Sequence, residues 1–252
     1  MSGVSLASAL GVAAGEVVAF VGAGGKTSAM FRVAAEVAAA GGHVVTTTTT
    51  RLAASDARHA PVHVQRAEEL GGALAAARHV LLTAGLDAAA GKLIGLAPAA
   101  LCALRRRDLT LLVEADGSRR LPFKAPAAHE PVVPPCATLV VWVVGVDALG
   151  QPLDDAHVHR PERVARIHPG ALVTPAMVAA VAADPAGGCK RVPREARVAL
   201  LINKVDDDDR RARARAVAAR TAPGGRIARV VLAALARPGD AVIEVISKEV
   251  AQ

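Results

Sequence analysis

The sequence predicts an α/β fold, a mostly parallel sheet with helices on both faces and a ligand site at the carboxyl ends of its strands. Three observations carry this. Near the N-terminus the chain reads strand, helix, strand over residues 16–21, 27–40 and 43–47, the spacing of a βαβ unit. Further apolar runs at 79–83, 109–113, 138–146, 198–202 and 226–232 supply more buried strands. Aromatic residues are only 2% of a chain that is 52% hydrophobic. Packing therefore rests on Val, Leu, Ile and Ala, which suits a parallel sheet covered by helices.

The other elements follow from local signals. Residues 1–15 read as a short helix or lead-in. Met30, Phe31, Ala34, Val37 and Ala38 line one face of the helix at 27–40, and Gly41-Gly42 ends it. Residues 55–77 are polar at first, with a helix over 68–78. Residues 86–95 form a loop or hairpin, with Lys92, Leu93 and Ile94 as an edge strand. A helix over 98–107 starts at Pro98 and ends in Arg105-Arg106-Arg107, which complement its dipole. Short helices follow at 161–167 and, after the N-cap Thr174 and Pro175, up to 183. A further helix spans 210–219, and 239–250 closes the fold as strand or helix. The expectation is one domain over 1–252, with 118–195 as a lid or small subdomain.

Composition narrows the function classes. The net charge is +7, which a solvated, arginine-rich surface accounts for. With no tyrosine, one tryptophan and three phenylalanines, the chain lacks stacking platforms for single-stranded nucleic acid, and no nucleic-acid partner is expected. Cys102, Cys136 and Cys189 show neither disulfide-framework nor zinc-ligand spacing. No signal-peptide pattern opens the chain, and the longest apolar run, 137–146, is too short to span a membrane. The expectation is a cytoplasmic protein without a membrane partner.

The stretch that organises the rest is Gly22-Ala23-Gly24-Gly25-Lys26-Thr27-Ser28, between the first strand and its helix. Glycines free backbone N–H groups to face an anion, and a helix N-terminus adds partial positive charge. Lys26 would reach the outer phosphates of a nucleotide, and the Thr27 hydroxyl would hold Mg²⁺. The loop is shorter than the usual G-x-x-x-x-G-K-[ST] pattern, with Phe20 where that pattern has its first glycine. The rival reading is a plain strand-to-helix turn. The threonines at 46–50 are either β-formers or a hydroxyl cluster in which Thr47 or Thr48 touches phosphate or a Mg²⁺-bound water.

A second stretch, 109–117, is an apolar strand ending in Glu114-Ala115-Asp116-Gly117, the Walker B pattern. If the strand runs on, Glu114 and Asp116 share a face. Asp116 would join Thr27 at the metal while Glu114 orients the attacking water. The proline-rich segment 118–135 follows, carrying Arg119, Arg120, Lys124, His129 and Glu130. One of Arg119, Arg120 or Lys124 would stabilise transferring charge. His157 and His159 beside Asp154 and Asp155 are either a metal site or an ordinary loop. Cys189, next to Lys190 and Arg191, is either a partly ionised thiol or a bystander.

A third stretch ends the strand at 198–202 in Asn203-Lys204-Val205-Asp206. In this N-K-x-D pattern the aspartate accepts hydrogen bonds from guanine N1–H and the 2-amino group, which adenine lacks. The rival reading makes Asp206 the cap of the helix at 210–219.

The three motifs in this order resemble P-loop metal-centre GTPases of the SIMIBI class. VGAGGKTS, TTTT, EADGSRRLPFKAPAAHEPVVP, HRPE at 159–162 and INKVD together resemble the YqeC family over nearly the whole chain. That family is described as accessory proteins for selenium-dependent molybdenum hydroxylases. The resemblance implies a P-loop NTPase-like fold and a part in maturing a molybdenum enzyme or its cofactor, with that machinery as partner. The resulting expectation is Mg²⁺-dependent binding and hydrolysis of GTP, favoured over ATP. The alternatives are a P-loop kinase or ligase-like transferase acting on a small anionic acceptor, and a non-catalytic nucleotide- or cofactor-binding module.

Overall fold

The computed structural model describes residues 3–221 and 225–247. Its centre is a nine-stranded sheet. In chain order the strands are β1 (Val17–Gly22), β2 (His43–Thr48), β3 (Val62–Val64), β4 (His79–Leu82), β5 (Leu109–Glu114), β6 (Leu139–Gly145), β7 (Arg197–Asn203), β8 (Ile227–Ala233) and β9 (Val242–Ser247). Their spatial order is β9-β8-β7-β6-β1-β5-β2-β4-β3. Every pairing is parallel except that of β8 with β9. The phosphate-loop strand β1 and the acidic strand β5 are therefore direct neighbours, with Phe20 opposite Glu114.

Successive side chains along β1 point to opposite faces, and each face is covered. On one, Val18 and Phe20 pack with Leu6 and Leu10 of α1 (Leu6–Leu10) and Met30 and Val33 of α2 (Lys26–Ala39). The other face buries Val17, Ala19 and Val21 under five helices. These are α3 (Leu70–Ala76), α4 (Pro98–Ala103), α5 (Pro161–Ile167), α6 (Pro175–Ala183) and α7 (Asp208–Thr221). The α/β class, the mostly parallel sheet and the helices on both faces match the sequence expectation. No helix among the described residues is long and apolar enough to cross a membrane.

Segment 118–195 supplies β6, which lies beside β1 near the middle of the sheet. Val164 of α5 and Met177 of α6 join the same core. Helix α4 ends at Ala103, four residues short of expectation. Beyond it Arg106 turns to pair with Asp108 at 3.0 Å, so the three arginines lie outside the helix. Strand β3 was not expected; three half-buried residues at an edge carry too little pattern to read. The final segment resolves as the antiparallel strand β9, while residues 248–250 of that expectation lie outside the described residues. The cysteine reading is corrected outright. Cys102 and Cys136 form a disulfide, their Cα atoms 5.7 Å apart, because α4 and the entry to β6 converge across a separation of 34 residues.

Candidate functional site

Strand β1 ends at Gly22, and α2 begins four residues later at Lys26. The turn between them fits only glycine at two points. Gly24 has φ +76°, and a Cβ there would lie 2.1 Å from the Gly145 nitrogen. Gly25 has φ +127°, and a Cβ would lie 2.3 Å from Asn203 Nδ2. The loop is thus pressed between the ends of β6 and β7. Gly22 N–H donates to Asp116 Oδ2 at 3.1 Å, Ala23 N–H to Val143 O at 2.8 Å, and Gly24 N–H to Leu121 O at 3.1 Å. The amides of residues 25–28 have no partner among the described residues, and the N-cap Gly25 offers no side-chain cap. These four open on a cavity of about 390 Å³ lined by Gly24, Gly25, Lys26, Thr27 and Ser28. Free amides at a helix N-terminus form an anion site. Gly22 and Ala23 do not line it, which narrows the expected cradle to 24–28.

Lys26 is 3% exposed. Its Nζ donates to Gly22 O at 2.8 Å and Ser118 Oγ at 3.2 Å, and lies 3.3 Å from Asp116 Oδ1. Thr27 Oγ1 donates to Glu114 Oε2 at 2.6 Å. Burial pushes the Glu114 carboxyl up, against the opposing pull of the Lys26 charge and the Thr27 hydrogen bond. Glu114 lines the cavity, so the side chains that meet at the helix start are Thr27 and Glu114.

Asp116 corrects the expectation for the metal. Strand β5 stops at Glu114, so the alternation that would bring Asp116 onto the same face lapses. Asp116 is 1% exposed and lies beneath the loop, 3.0 Å from Lys124 Nζ. Lys124 also leaves the expected set. It is 1% exposed and donates to Glu130 Oε2 at 2.7 Å and Gly117 O at 2.6 Å, so it does not meet a ligand. Arg160 closes this chain of alternating charge, 2.6 Å from Glu130. Burial alone would raise Glu130, but its hydrogen bonds and charge contacts with Lys124 and Arg160 hold it down at about 2. His159 is pushed down to about 4 by burial, with Arg160 and Lys124 adding to the effect.

Arg119 and Arg120 do line the cavity, exposed and at φ 49° and 62°. The facing wall is a separate three-stranded sheet of Arg51–Ala53, Lys92–Ile94 and Gly85–Asp87, which presents Arg51, Leu52, Ala53 and Lys92. Of its strands only Lys92–Ile94 was expected, and nothing in the sequence placed it at the cavity.

The N-K-x-D residues separate. Asn203 Nδ2 donates to Gly24 O at 2.8 Å, while Asn203 Oδ1 accepts from Leu235 N–H at 3.1 Å, so this residue ties the loop to the end of β8. Lys204 lines the cavity and pairs with Asp147 at 2.6 Å. Asp206 lies outside the lining, paired with Arg210 at 2.6 Å. The helix-cap role falls to Asp207, whose carboxylate accepts from Arg210 N–H at 2.8 Å.

Other candidates resolve into structure. Thr48 Oγ1 donates to Glu114 O at 2.8 Å, Thr47 is fully buried, and neither lines the cavity. His157 pairs with Asp154 at 2.7 Å on the surface, while His159 is buried in a two-residue bridge opposite Lys124. Burial raises the Cys189 thiol rather than ionising it. Its cationic neighbours are engaged elsewhere, Lys190 with Ala127 O at 2.5 Å and Arg191 with His129 O at 2.7 Å.

The profile of the family described as "YqeC protein" matches residues 18–162, more than half of the chain. The chain belongs to the YqeC family. An Escherichia coli (strain K12) protein described as "Uncharacterized protein YqeC" is 37% identical over 119 residues, 45% of this chain and 46% of that relative. The chain thus spans less than half the length of that curated relative. No solved structure matches significantly. The YqeC match takes in the glycine-rich loop, Glu114, Asp116 and the buried charge chain through Arg160. The N-K-x-D motif lies beyond it.

Proposed function

We propose that the protein binds and hydrolyses a magnesium-bound nucleoside triphosphate, GTP in preference to ATP, as an accessory factor for a selenium-dependent molybdenum hydroxylase or its cofactor. The observation that carries the nucleotide reading is the set of four unpartnered amides at 25–28, opening with Lys26 on one cavity. Arg119 and Arg120 add positive charge at the same place. The donor set fits a small hard cation beside the phosphates, with Thr27 and Glu114 as its oxygen ligands or the partners of its waters. Held there, such a cation would supply positive charge to the phosphate oxygens. Lys26 leaves the Gly22 carbonyl and Ser118 to meet the phosphates. Glu114, beside Thr27 at the start of α2, orients the attacking water. Asn203 fixes the loop, and the neighbouring Lys204 and Asp206 serve the base. Preference for guanine requires Asp206 to turn from Arg210 toward the ring. The molybdenum-enzyme part rests on the family resemblance.

The test is a competition between Mg-GTP, Mg-ATP and Mg-XTP. An aspartate matches guanine, whereas an asparagine offers a donor to the 2-oxo group of xanthine. Asp206→Asn is expected to weaken GTP by roughly tenfold or more and to gain XTP, as loss of hydrogen bonds to a charged group implies. Indifference to the substitution removes the base-reading role.

A further inference from the structure

The cavity is longer than its phosphate loop. It runs along the carboxyl ends of the strands from Lys204, just past β7, to Arg51, just past β2. In the order β7-β6-β1-β5-β2 that is four inter-strand steps, about 19 Å at the usual strand spacing. On the reading above, the base lies at the β7 end and the phosphates over β1 and α2. Glu114 then stands at the end of β5, and the β2 end lies beyond the terminal phosphate.

That far end sets Arg51 and Lys92 beside the carboxylates of Asp56 and Asp87, and it is firmly built. Leu52 and Leu93 are each 2% exposed and anchor the three-stranded sheet in the α2-side core. Ala53 pairs with Lys92 in the same ladder. Gly95 N–H and Leu96 N–H bind Thr50 O and Thr48 O at 3.0 and 2.9 Å, fixing the sheet to the end of β2. Of the cavity's cations, Lys26, Arg51 and Lys204 each have a carboxylate of the protein, in Asp116, Asp87 and Asp147. The side chains of Lys92, Arg119 and Arg120 have no hydrogen bond or ion pair among the described residues. Arg119 and Arg120 follow β5 and serve the nucleotide. Lys92 comes from the opposite wall, where no hydrogen bond or ion pair holds its ammonium, although the Asp56 carboxylate lines the same cavity.

We propose that the end of the cavity at Lys92 and Arg51 is a second oxyanion site, which holds a small phosphate- or carboxylate-bearing molecule beside the terminal phosphate of the nucleotide. This rests on the nucleotide reading and gives it a co-substrate class. Lys92 supplies the free charge, and Arg51 supplies the second contact by releasing Asp87, a pair already open to solvent. The placement beside Glu114 puts the bound molecule next to the reacting phosphate.

The experiment is a calorimetric titration of inorganic phosphate into protein saturated with a non-hydrolysable GTP analogue and Mg²⁺. Saturable phosphate binding is expected, weakened about tenfold or more in Lys92→Ala through loss of a charge-assisted contact, restored in Lys92→Arg, and accompanied by unchanged affinity for the analogue. If the loaded protein takes no phosphate, or if Lys92→Ala weakens the analogue itself about tenfold, Lys92 belongs to the terminal phosphate and the second site is overturned. If the unsubstituted protein binds no analogue, the nucleotide reading fails on its own. Phosphate is then titrated into the nucleotide-free protein. Binding lost in Lys92→Ala and kept in Lys26→Ala sustains the oxyanion site; loss in both removes it.

Discussion

Lys124 shows how a residue's surroundings decide its role. From the sequence it belongs with Arg119 and Arg120 as a cation awaiting phosphate. In the fold it is enclosed between Asp116 and Glu130, and its charge is consumed by the protein. Lys124→Met leaves two buried carboxylates short of a partner, so urea denaturation should show a loss of about 3–5 kcal/mol, the cost of breaking a buried pair from one side. Arg106→Ala, which breaks the exposed pair with Asp108, should leave the unfolding midpoint where it is. The same charge chain sets the acid response. Glu130 titrates at about 2 instead of 4.5, so its folded form binds its proton later than the unfolded form. Its stabilisation is present above about pH 4.5 and is lost as pH falls toward 2. His79 and His159 are pushed down from 6.5 to about 4, so the unfolded chain takes up their protons first and stability already declines as pH falls from 6.5 to 4. Glu114, raised by burial, works the other way as pH falls toward 4.5, so unfolding free energy measured against pH in Glu114→Gln should show a decline below pH 6.5 that continues through the Glu130 window. A flat profile down to pH 4.5 in that variant would contradict the buried state of the two histidines.

Among elements, the turn from β1 into α2 makes the strictest demand on backbone geometry. Gly24→Ala places a methyl carbon 2.1 Å from the Gly145 nitrogen at a φ that non-glycine residues rarely adopt. Strain of this kind costs about 1–3 kcal/mol, and thermal unfolding together with loss of nucleotide binding should register it. Gly41→Ala makes an informative contrast, because its φ of +89° is just as unusual but no atom lies within 4 Å of the new methyl. It should lower stability and spare binding. This turn was legible in the sequence because its signals are local: an apolar run, glycines at the bend, a lysine and threonine at the helix start. The meeting of Thr27 with Glu114 was half legible: the lysine-threonine start of α2 is a local signal, but placing Glu114 rather than Asp116 opposite it depends on where β5 stops, because successive residues of a strand face opposite ways. Lys92 and Arg51 were not legible as site residues, since two three-residue strands bring them to the cavity through pairings 39 to 43 residues apart, Arg51 opposite Ile94 among them.

At the scale of the molecule, the order of β7, β6, β1, β5 and β2 brings the three motif-bearing strand ends to one edge. The fold class could be read because buried parallel strands and helices leave their pattern in every segment. The disulfide could not, because a separation of 34 residues carries no signal until α4 and the start of β6 are packed together. Closing a loop of that length is worth about 3–4 kcal/mol on the chain-entropy account, so reduction, or Cys102→Ser, should lower the unfolding free energy by that order. The central claim is that this edge receives a nucleotide through Lys26 and the amides of 25–28. The most direct measurement is calorimetric titration of a non-hydrolysable GTP analogue with Mg²⁺ into the unsubstituted protein and Lys26→Ala. Asp116 keeps Lys124 and the Gly22 amide as partners in that variant, and its circular dichroism and unfolding midpoint are recorded alongside, so that loss of binding is read on folded protein. Saturable binding weakened by about tenfold or more on losing the lysine is the predicted result. No binding to the unsubstituted protein, or equal affinity in the two, would contradict it.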